Sequence, residues 1–398
     1  MLTLGGILNM GLFLQVGSKF IVGITGLSHS GWALPVVMTA LLALVLAYTV
    51  MGGMISVIIT DYIQFVVLSF GLVLTTVLAI YRLGWDNIFG TVEQAMGEAG
   101  FNPLVSEGEF GVEYFLWMAF TAGLVSCALW PTAVARALAM ESTDAVRKQF
   151  MWSSISFAIR FMVPYFWGIC AFVFVTTEAP ELQALLVGGD AGSGTEPLGE
   201  LYAMPLFLGR LLPAGVIGLI TAAMIAAFMS THDSYLLCWS SVLTQDVVAP
   251  LLGDRLTTAQ RVLLTRVMIV AIGIYIWCWG LFYRGSDDIW DYMAITGAIY
   301  FTGAFAVLMG GLYWKRASRV GAWAALLSGL TAVLGLGPVR EVAARTLLEL
   351  SGKPITEAAL AETLTSSRVG LSTVGFSLAM LVVFSLLFPD RSTPQEKP

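Results

Sequence analysis

Ten segments of this chain are long enough and apolar enough to cross a lipid bilayer as helices. A helix needs about 20 apolar residues to span the hydrocarbon core, and each segment is roughly that long or longer. We place the spans at residues 4–25, 32–51, 55–81, 112–137, 151–176, 211–245, 262–283, 290–312, 319–338 and 369–388. Backbone polar groups inside a bilayer must be satisfied within the segment, as they are in a helix. The sequence therefore predicts an all-α integral membrane protein with about 10 transmembrane helices.

We expect these spans to form a single transmembrane domain over residues 1–390, followed by a short tail at 391–398. Charged residues make up only 12% of the chain, about half the share found in soluble domains. No basic tract points to nucleic acid, and no residues are spaced like a zinc or iron–sulfur site. We therefore expect a lipid bilayer as the surroundings, no nucleic-acid partner and no cofactor.

The basic residues in the connections predict the orientation of the spans. Lys and Arg number eleven on the side that holds Arg147 and Lys148, against seven on the side of Arg82 and Arg210, where the loops are longer. Cytoplasmic loops hold the excess of basic residues in membrane proteins. We therefore expect a multi-pass protein of the cell membrane with both termini in the cytoplasm.

The segment at residues 211–252 differs from the others because its middle is polar. At 100° per residue, Ala227, Ser230, Thr231 and Ser234 fall on one arc of a helix about 100° wide. Uncharged oxygens of this kind can replace the water around a hard cation such as sodium. The alternative is that the hydroxyls only bond back to the preceding turn or hold helices together.

Three stretches resemble a known family. They are residues 227–231 (AFMST) with Ser234 after them, residues 48–64 (YTVMGGMISVIITDYIQ) and residues 131–139 (PTAVARALA). In order and spacing they resemble parts of the eighth, fifth and sixth core helices of the sodium:solute symporter family, closer to its proline and pantothenate branch than to its sugar branch. The resemblance implies a LeuT-like bundle of two inverted five-helix repeats, here lacking the first two core helices.

The resemblance also implies where sodium binds. The first site would take side-chain oxygens from Ser230 and Thr231 and the backbone carbonyl of Ala227. A second site would combine carboxylates with a hydroxyl, from Asp61, Asp233 and Ser234. Asp233 lies where members with this site have a hydroxyl, so it could be an extra sodium ligand, a proton acceptor or one partner of a salt bridge.

Arg160 is a second charged residue inside a predicted span, besides Asp233, and lies about 15 Å from the start of its span. Its guanidinium suits a carboxylate, and the resemblance places it on a helix that contacts the solute. The alternative is an ion pair with Asp233 or another acid.

Pro131 breaks a helix as an unwound binding segment requires. The predicted solute-binding residues are Arg160, Trp130, Ser126, Gln15 and Tyr300.

The function that the resemblance implies is symport of a small organic solute with sodium as the coupling ion. The solute-binding residues favour a carboxylate over a neutral sugar. One alternative is a transport-incompetent fragment or a sensor-like relative of the same fold. The other is an intramembrane acyltransferase that uses His232 and Asp233. Adjacent side chains on a helix point about 100° apart, so we expect no catalytic pair there and no enzyme.

Overall fold

The computed structural model describes residues 2–28, 30–105, 111–188, 198–282, 289–356, 359–360 and 363–390. The regular structure in these ranges is helical throughout, which confirms the all-α prediction. The α-helices in chain order are α1 (Leu2–Ile24), α2 (Ala33–Leu83), α3 (Trp85–Met96), α4 (Val112–Met118), α5 (Ser126–Leu129), α6 (Pro131–Leu138), α7 (Thr143–Thr177), α8 (Pro180–Gln183), α9 (Ala203–Leu211), α10 (Ala214–Val242), α11 (Ala249–Leu251), α12 (Thr258–Phe282), α13 (Ile289–Tyr313), α14 (Arg319–Ser328), α15 (Gly337–Leu350) and α16 (Ser366–Leu387).

Eight helices in the described ranges are long and apolar enough to cross a membrane, against the ten spans expected. Two of them, Ala33–Gly52 and Val57–Leu83, lie within α2, where helical backbone joins them in place of a loop. The others are Gly5–Ile24, Thr143–Thr177, Ala214–Leu251, Thr258–Phe282, Ile289–Tyr313 and Ser366–Leu387.

The two predicted spans without a counterpart among these helices are both broken. At residues 112–137, a π-helical stretch follows α4, and the helix is interrupted at Trp130 before α6 begins at Pro131. Proline has no backbone N–H to continue a helix but fits the first turn of a new one. At 319–338, the chain tightens to a 3-10 helix and then bends by 86° into α15. With that bent pair counted as one span, the described residues contain nine.

Side-chain caps fix where three of the helices begin. Ser142, Ser318 and Thr365 each precede a helix and accept a hydrogen bond from a backbone N–H in its first turn. Such caps satisfy N–H groups that have no partner within the helix. The first of them sets the start of α7, which is the helix of Arg160.

The chain divides into two compact units. The larger unit consists of Met10–Phe101 and Ala135–Tyr283. Within it, α10 packs along α2 and also contacts α12, while α7 packs against α2, α3 and α9. Small residues allow the closest approach, since a Cβ placed on Gly71 of α2 would lie 3.2 Å from the Cβ of Ala223 on α10. This packing positions the polar residues described below.

The smaller unit consists of Met1–Asn9, Asn102–Val134 and Arg284–Pro398. Its described helices α13, α14 and α16 pack against one another. A Cβ on Gly303 of α13 would lie 2.5 Å from the carbonyl oxygen of Ala325 on α14, so only glycine fits there without a shift. The first residues of α1 belong to this unit and are tied to α13 by a hydrogen bond between Asn9 and Thr296.

Candidate functional site

Ser230 and Thr231 on α10 both bond back to the carbonyl oxygen of Ala227. The hydroxyl oxygen of Ser230 lies 3.3 Å from that carbonyl oxygen, and the hydroxyl oxygen of Thr231 lies 2.9 Å from it. All three residues are partly buried. The structure therefore brings the three residues of the predicted first sodium site together on one face of α10.

This face can offer several oxygens to a cation. A hydroxyl that donates its hydrogen to the carbonyl behind it keeps its lone pairs for another ligand. The carbonyl of Ala227 can contact an ion fully once the two hydroxyl hydrogens turn away from it. Hard cations prefer such oxygens. The back-bonding alternative and the cation-binding alternative therefore describe the same hydroxyls in two roles.

Asp233 is fully buried and lies against Tyr48 of α2. Its Oδ2 is 2.5 Å from the Tyr48 hydroxyl, and its Oδ1 is 3.1 Å from the Ser234 hydroxyl. The Tyr48 hydroxyl also lies 3.1 Å from the carbonyl oxygen of Met229. A buried carboxyl group is costly unless it is hydrogen-bonded. The packing of α2 along α10 supplies the partner that this carboxyl needs.

Arg136 of α6 lies between two residues of the predicted second sodium site. Its Nη2 is 2.7 Å from Asp61 Oδ2 and 2.7 Å from the Ser234 hydroxyl oxygen. The structure thus links Asp61, Ser234 and Asp233 in one hydrogen-bonded series that contains a guanidinium. We call the five residues Tyr48, Asp233, Ser234, Arg136 and Asp61 the polar row.

The sequence prediction gave Arg136 and Tyr48 no role at this site. Arg136 enters the sequence prediction only within the motif at residues 131–139. A signal was nevertheless available, because Arg136 falls within the predicted span 112–137. A charge inside an apolar segment requires a partner, and Asp61 is that partner.

Arg160 lies on α7 with an exposed side chain. Its guanidinium carbon is 5.6 Å from the centre of the Phe65 ring on α2, a cation–π distance. Within the described ranges, Arg160 and Asp233 form no ion pair. The alternative that pairs them is therefore not what this structure shows.

The other predicted solute-binding residues fall in both units. Gln15, on α1, is partly buried in the larger unit. In the smaller unit, the Trp130 ring lies 5.3 Å from the Phe301 ring and 6.5 Å from the Tyr300 ring, at the interruption before Pro131. Ser126 is the first residue of α5 in that unit. Trp130 and Tyr300 are thus neighbours in one aromatic cluster.

His232 makes contacts that are separate from those of Asp233. Its buried ring stacks on Phe228, with ring centres 3.9 Å apart. Nδ1 lies 3.1 Å from the Phe228 carbonyl oxygen and Nε2 lies 3.3 Å from the Met10 carbonyl oxygen. The imidazole joins α10 to α1, while Asp233 faces α2. This arrangement offers no acid–base pair for an acyltransferase.

The chain is similar in sequence to several symporters. It is 25% identical over 320 residues to the sodium/mannose cotransporter of Bos taurus, covering 75% of this chain and 53% of that protein. It is 28% identical over 316 residues to the sodium/sialic acid symporter SiaT of Proteus mirabilis, covering 75% and 59%. With the sodium/proline symporter of Haemophilus influenzae it shares 26% over 312 residues, covering 73% and 55%. The chain spans little more than half the length of these curated relatives.

A solved structure of a Na+-coupled sialic acid symporter, in a substrate-bound outward-open state, has a similar fold. The TM-score is 0.67 at 20% sequence identity, covering 97% of this chain and 75% of that one. The relatives are named for sugars, proline and sialic acid, so they do not separate the proline and pantothenate branch from the sugar branch. The model of the Sodium:solute symporter family matches residues 9–329, which is most of the chain. This multi-pass helical chain therefore belongs to the sodium:solute symporter family, whose members are membrane transporters and not enzymes.

Proposed function

We propose that the protein is a sodium-coupled symporter that moves a small organic solute across the cell membrane. The observation that supports this most directly is the convergence of Ala227, Ser230 and Thr231 on one partly buried face of α10. Membership of the sodium:solute symporter family supports it as well. We assign the coupling sodium ion to this face, with two hydroxyls and one carbonyl as its ligands.

The neutral ligands suit a coupling ion. Since no carboxylate lies among them, a bound sodium ion keeps its positive charge and its movement carries that charge across the membrane. One elementary charge moving through 100 mV is worth about 2.3 kcal/mol. That free energy, together with the sodium concentration gradient, is available to accumulate the solute.

We infer that the solute bears a carboxylate, in preference to a neutral sugar. Arg160 lies inside a membrane-crossing helix with its side chain exposed. It has no carboxylate within ion-pair distance in the described part of the chain. A guanidinium is always charged and binds carboxylates through two parallel hydrogen bonds. The further residues that we propose for the solute site are Trp130, Ser126, Gln15 and Tyr300.

We also propose the LeuT-like arrangement of inverted repeats, in which ion and solute sites lie near the bilayer midplane. The fold likeness over 97% of the chain supports it. Both termini of the chain would face the cytoplasm, as the excess of basic residues on one side favours.

Uptake into proteoliposomes tests this function. The purified chain is reconstituted and supplied with radiolabelled L-proline, N-acetylneuraminate or D-glucose, under an inward gradient of sodium or of choline. We expect sodium-dependent accumulation of a carboxylate-bearing solute, enhanced by an inside-negative potential. Equal uptake in sodium and choline for all three solutes would contradict symport. Sodium-dependent accumulation of D-glucose alone would keep symport and overturn the carboxylate.

A further inference from the structure

We propose that a cavity between α2, α10 and α12 binds the headgroup of an anionic phospholipid from the surrounding bilayer. The cavity has a volume of about 320 Å³ and lies within the larger unit. Its walls come from the middle of α2, from α10 and the π-helical stretch after it, and from the first turns of α12. The inference does not depend on the proposed function, because none of the residues that it uses belongs to the proposed sodium or solute site.

The first observation is the charge of the cavity. Arg261 and Arg266, both on α12, line it, and none of the described residues that line it is acidic. The two arginines are five positions apart, which is about 7.5 Å along the helix axis. Arginine side chains are long enough for both guanidinium groups to reach one phosphate from that separation. A pocket whose charged side chains are all positive favours an anion.

The second observation is that Arg261 is held in place and still has hydrogens to donate. Its Nη2 lies 3.1 Å from Asp254 Oδ1, its Nε lies 3.4 Å from the Leu256 carbonyl oxygen, and its Nη1 donates to Gln245 Oε1. A guanidinium has five N–H groups, and these contacts use three of them. Gln245 also lines the cavity, and since its oxygen accepts from Arg261, its amide nitrogen keeps two hydrogens for an anion.

The third observation concerns Arg266, whose charge is not compensated by an acid. Its side chain is exposed, and no carboxylate lies within ion-pair distance of it in the described part of the chain. It lies eight residues after Thr258, the first residue of α12, or about 12 Å along a membrane-crossing helix. Arginines in such positions extend toward the lipid headgroups. We therefore expect Arg266 to find its counter-charge in a headgroup.

The fourth observation is that the cavity is apolar on one side. Val262 and Met51 line it and are 48% and 82% exposed. Val262, Arg266 and Ile269 are spaced four and three residues apart, so one face of α12 carries both the charge and the apolar contacts. A soluble phosphate would gain nothing from this apolar wall, whereas the acyl chains of a lipid would lie along it. This difference favours a phospholipid as the occupant.

The location of the cavity agrees with that choice. The proposed orientation places the beginning of α12 on the cytoplasmic side, where the leaflet is rich in anionic lipids. Basic pockets between membrane-crossing helices on that side bind anionic headgroups in other proteins. Thr258, at the start of α12, lines the cavity as well, and the beginning of a helix carries a partial positive charge.

Native mass spectrometry of the purified full-length chain tests the proposal. The chain is mixed with equal amounts of dioleoyl phosphatidylglycerol and dioleoyl phosphatidylcholine, and the lipids that stay bound are counted. The wild type should retain one phosphatidylglycerol in preference to phosphatidylcholine. Arg266→Gln should weaken that preference about fivefold, the effect expected for one basic residue near an anionic headgroup. Equal retention of the two lipids by the wild type would overturn the proposal.

Two further variants separate the cavity from general charge. Arg147→Gln is the matched control, because Arg147 is an exposed arginine on α7 that does not line the cavity. An equal loss in Arg147→Gln and Arg266→Gln would contradict the site. Thr258→Glu places a negative charge in the cavity, while an acidic residue in the first turn suits the helix. It should therefore fold and lose the preference for phosphatidylglycerol, and an unchanged preference would also contradict the site.

Thermal unfolding distinguishes a lipid from a soluble phosphate. Phosphatidylglycerol should raise the unfolding temperature of the wild type more than phosphatidylcholine does, and this difference should shrink in Arg266→Gln. The compound sn-glycerol 3-phosphate carries the phosphate without acyl chains and should have little effect. If sn-glycerol 3-phosphate raises the unfolding temperature as much as phosphatidylglycerol does, the occupant is a soluble phosphate and the lipid assignment is wrong.

Discussion

The Tyr48 hydroxyl lies 2.5 Å from Oδ2 of Asp233 and bonds the buried carboxyl from the neighbouring helix. The same hydroxyl lies 3.1 Å from the carbonyl oxygen of Met229, one turn earlier on α10. One phenol therefore joins α2 to two points of α10. This contact lies beside the face that holds the predicted sodium ligands, and we expect it to determine how those two helices are aligned.

Replacing Tyr48 with phenylalanine should destabilise the protein by about 1–3 kcal/mol, since it leaves a buried acceptor without its donor. The unfolding temperature of the purified protein measures the loss. Tyr62→Phe is the matched control, because Tyr62 lies on the same helix with 72% of its surface exposed. Equal unfolding temperatures for the two variants would show that the hydrogen bond to Asp233 contributes nothing.

Thr231→Ala should raise the sodium concentration for half-maximal uptake on the order of tenfold, which corresponds to about 1.4 kcal/mol of lost ion binding. Ser230→Ala should act in the same direction. Thr221→Ala is the control, because Thr221 makes the same kind of bond on α10, from its hydroxyl to the carbonyl of Ile217 at 2.7 Å. A sodium dependence that is unchanged in both Thr231→Ala and Ser230→Ala, at normal expression, would refute the site.

Arg160→Lys should weaken solute affinity while the protein folds normally, because lysine keeps the charge and loses the paired hydrogen bonds. Binding of the solute identified in the uptake experiment, at saturating sodium, measures the affinity. An unchanged affinity would remove Arg160 from the solute site.

Arg160→Met and Asp233→Asn should have additive effects on stability, to within about 0.3–0.5 kcal/mol, since the two residues do not form an ion pair in this structure. A double-mutant cycle measures this: the free energy of unfolding is compared among the wild type, the two single variants and the double variant. If the double variant recovers the stability and transport that each single variant loses, Arg160 and Asp233 form an ion pair in the protein. That result would rule out the proposed solute-binding role of Arg160.

Gly303→Ala should destabilise the protein by about 1–3 kcal/mol, because the added Cβ would overlap the Ala325 carbonyl oxygen on α14. Gly311 lies on the same helix with open space around it, so Gly311→Ala should be neutral or stabilise by up to about 1 kcal/mol. Thermal unfolding of the two variants gives the comparison. A loss of the same size in both would mean that helix propensity, and not the close approach of α13 and α14, sets the cost.

The helices and the common face of Ala227, Ser230 and Thr231 could be predicted because their signals are local. A helix such as Ile289–Tyr313 is recognisable from its own composition. Ala227, Ser230 and Thr231 lie three and four residues apart, so their common face follows from helical geometry alone. Neither prediction requires knowledge of the helices that pack against these segments.

The polar row could not be predicted in full because it depends on contacts between distant residues. Arg136 and Asp61 are 75 positions apart, and nothing in their spacing encodes a distance of 2.7 Å. The bend before α15 is a similar case. It follows a 3-10 stretch in which Gly329 lies against the Ile299 carbonyl of α13, a contact that only the packed structure provides.

The bonds from Ser230 and Thr231 to the Ala227 carbonyl can break and re-form much faster than the helices can move. Their hydroxyl hydrogens turn about a single bond, and small side-chain rotations take picoseconds to nanoseconds, whereas collective movements of helices take microseconds to milliseconds. The ligands can therefore adjust to an arriving ion far faster than the helices can move. We therefore expect the residence time of the proposed sodium ion on this face to depend on the slower movements of the helices and not on the turning of the two hydroxyls.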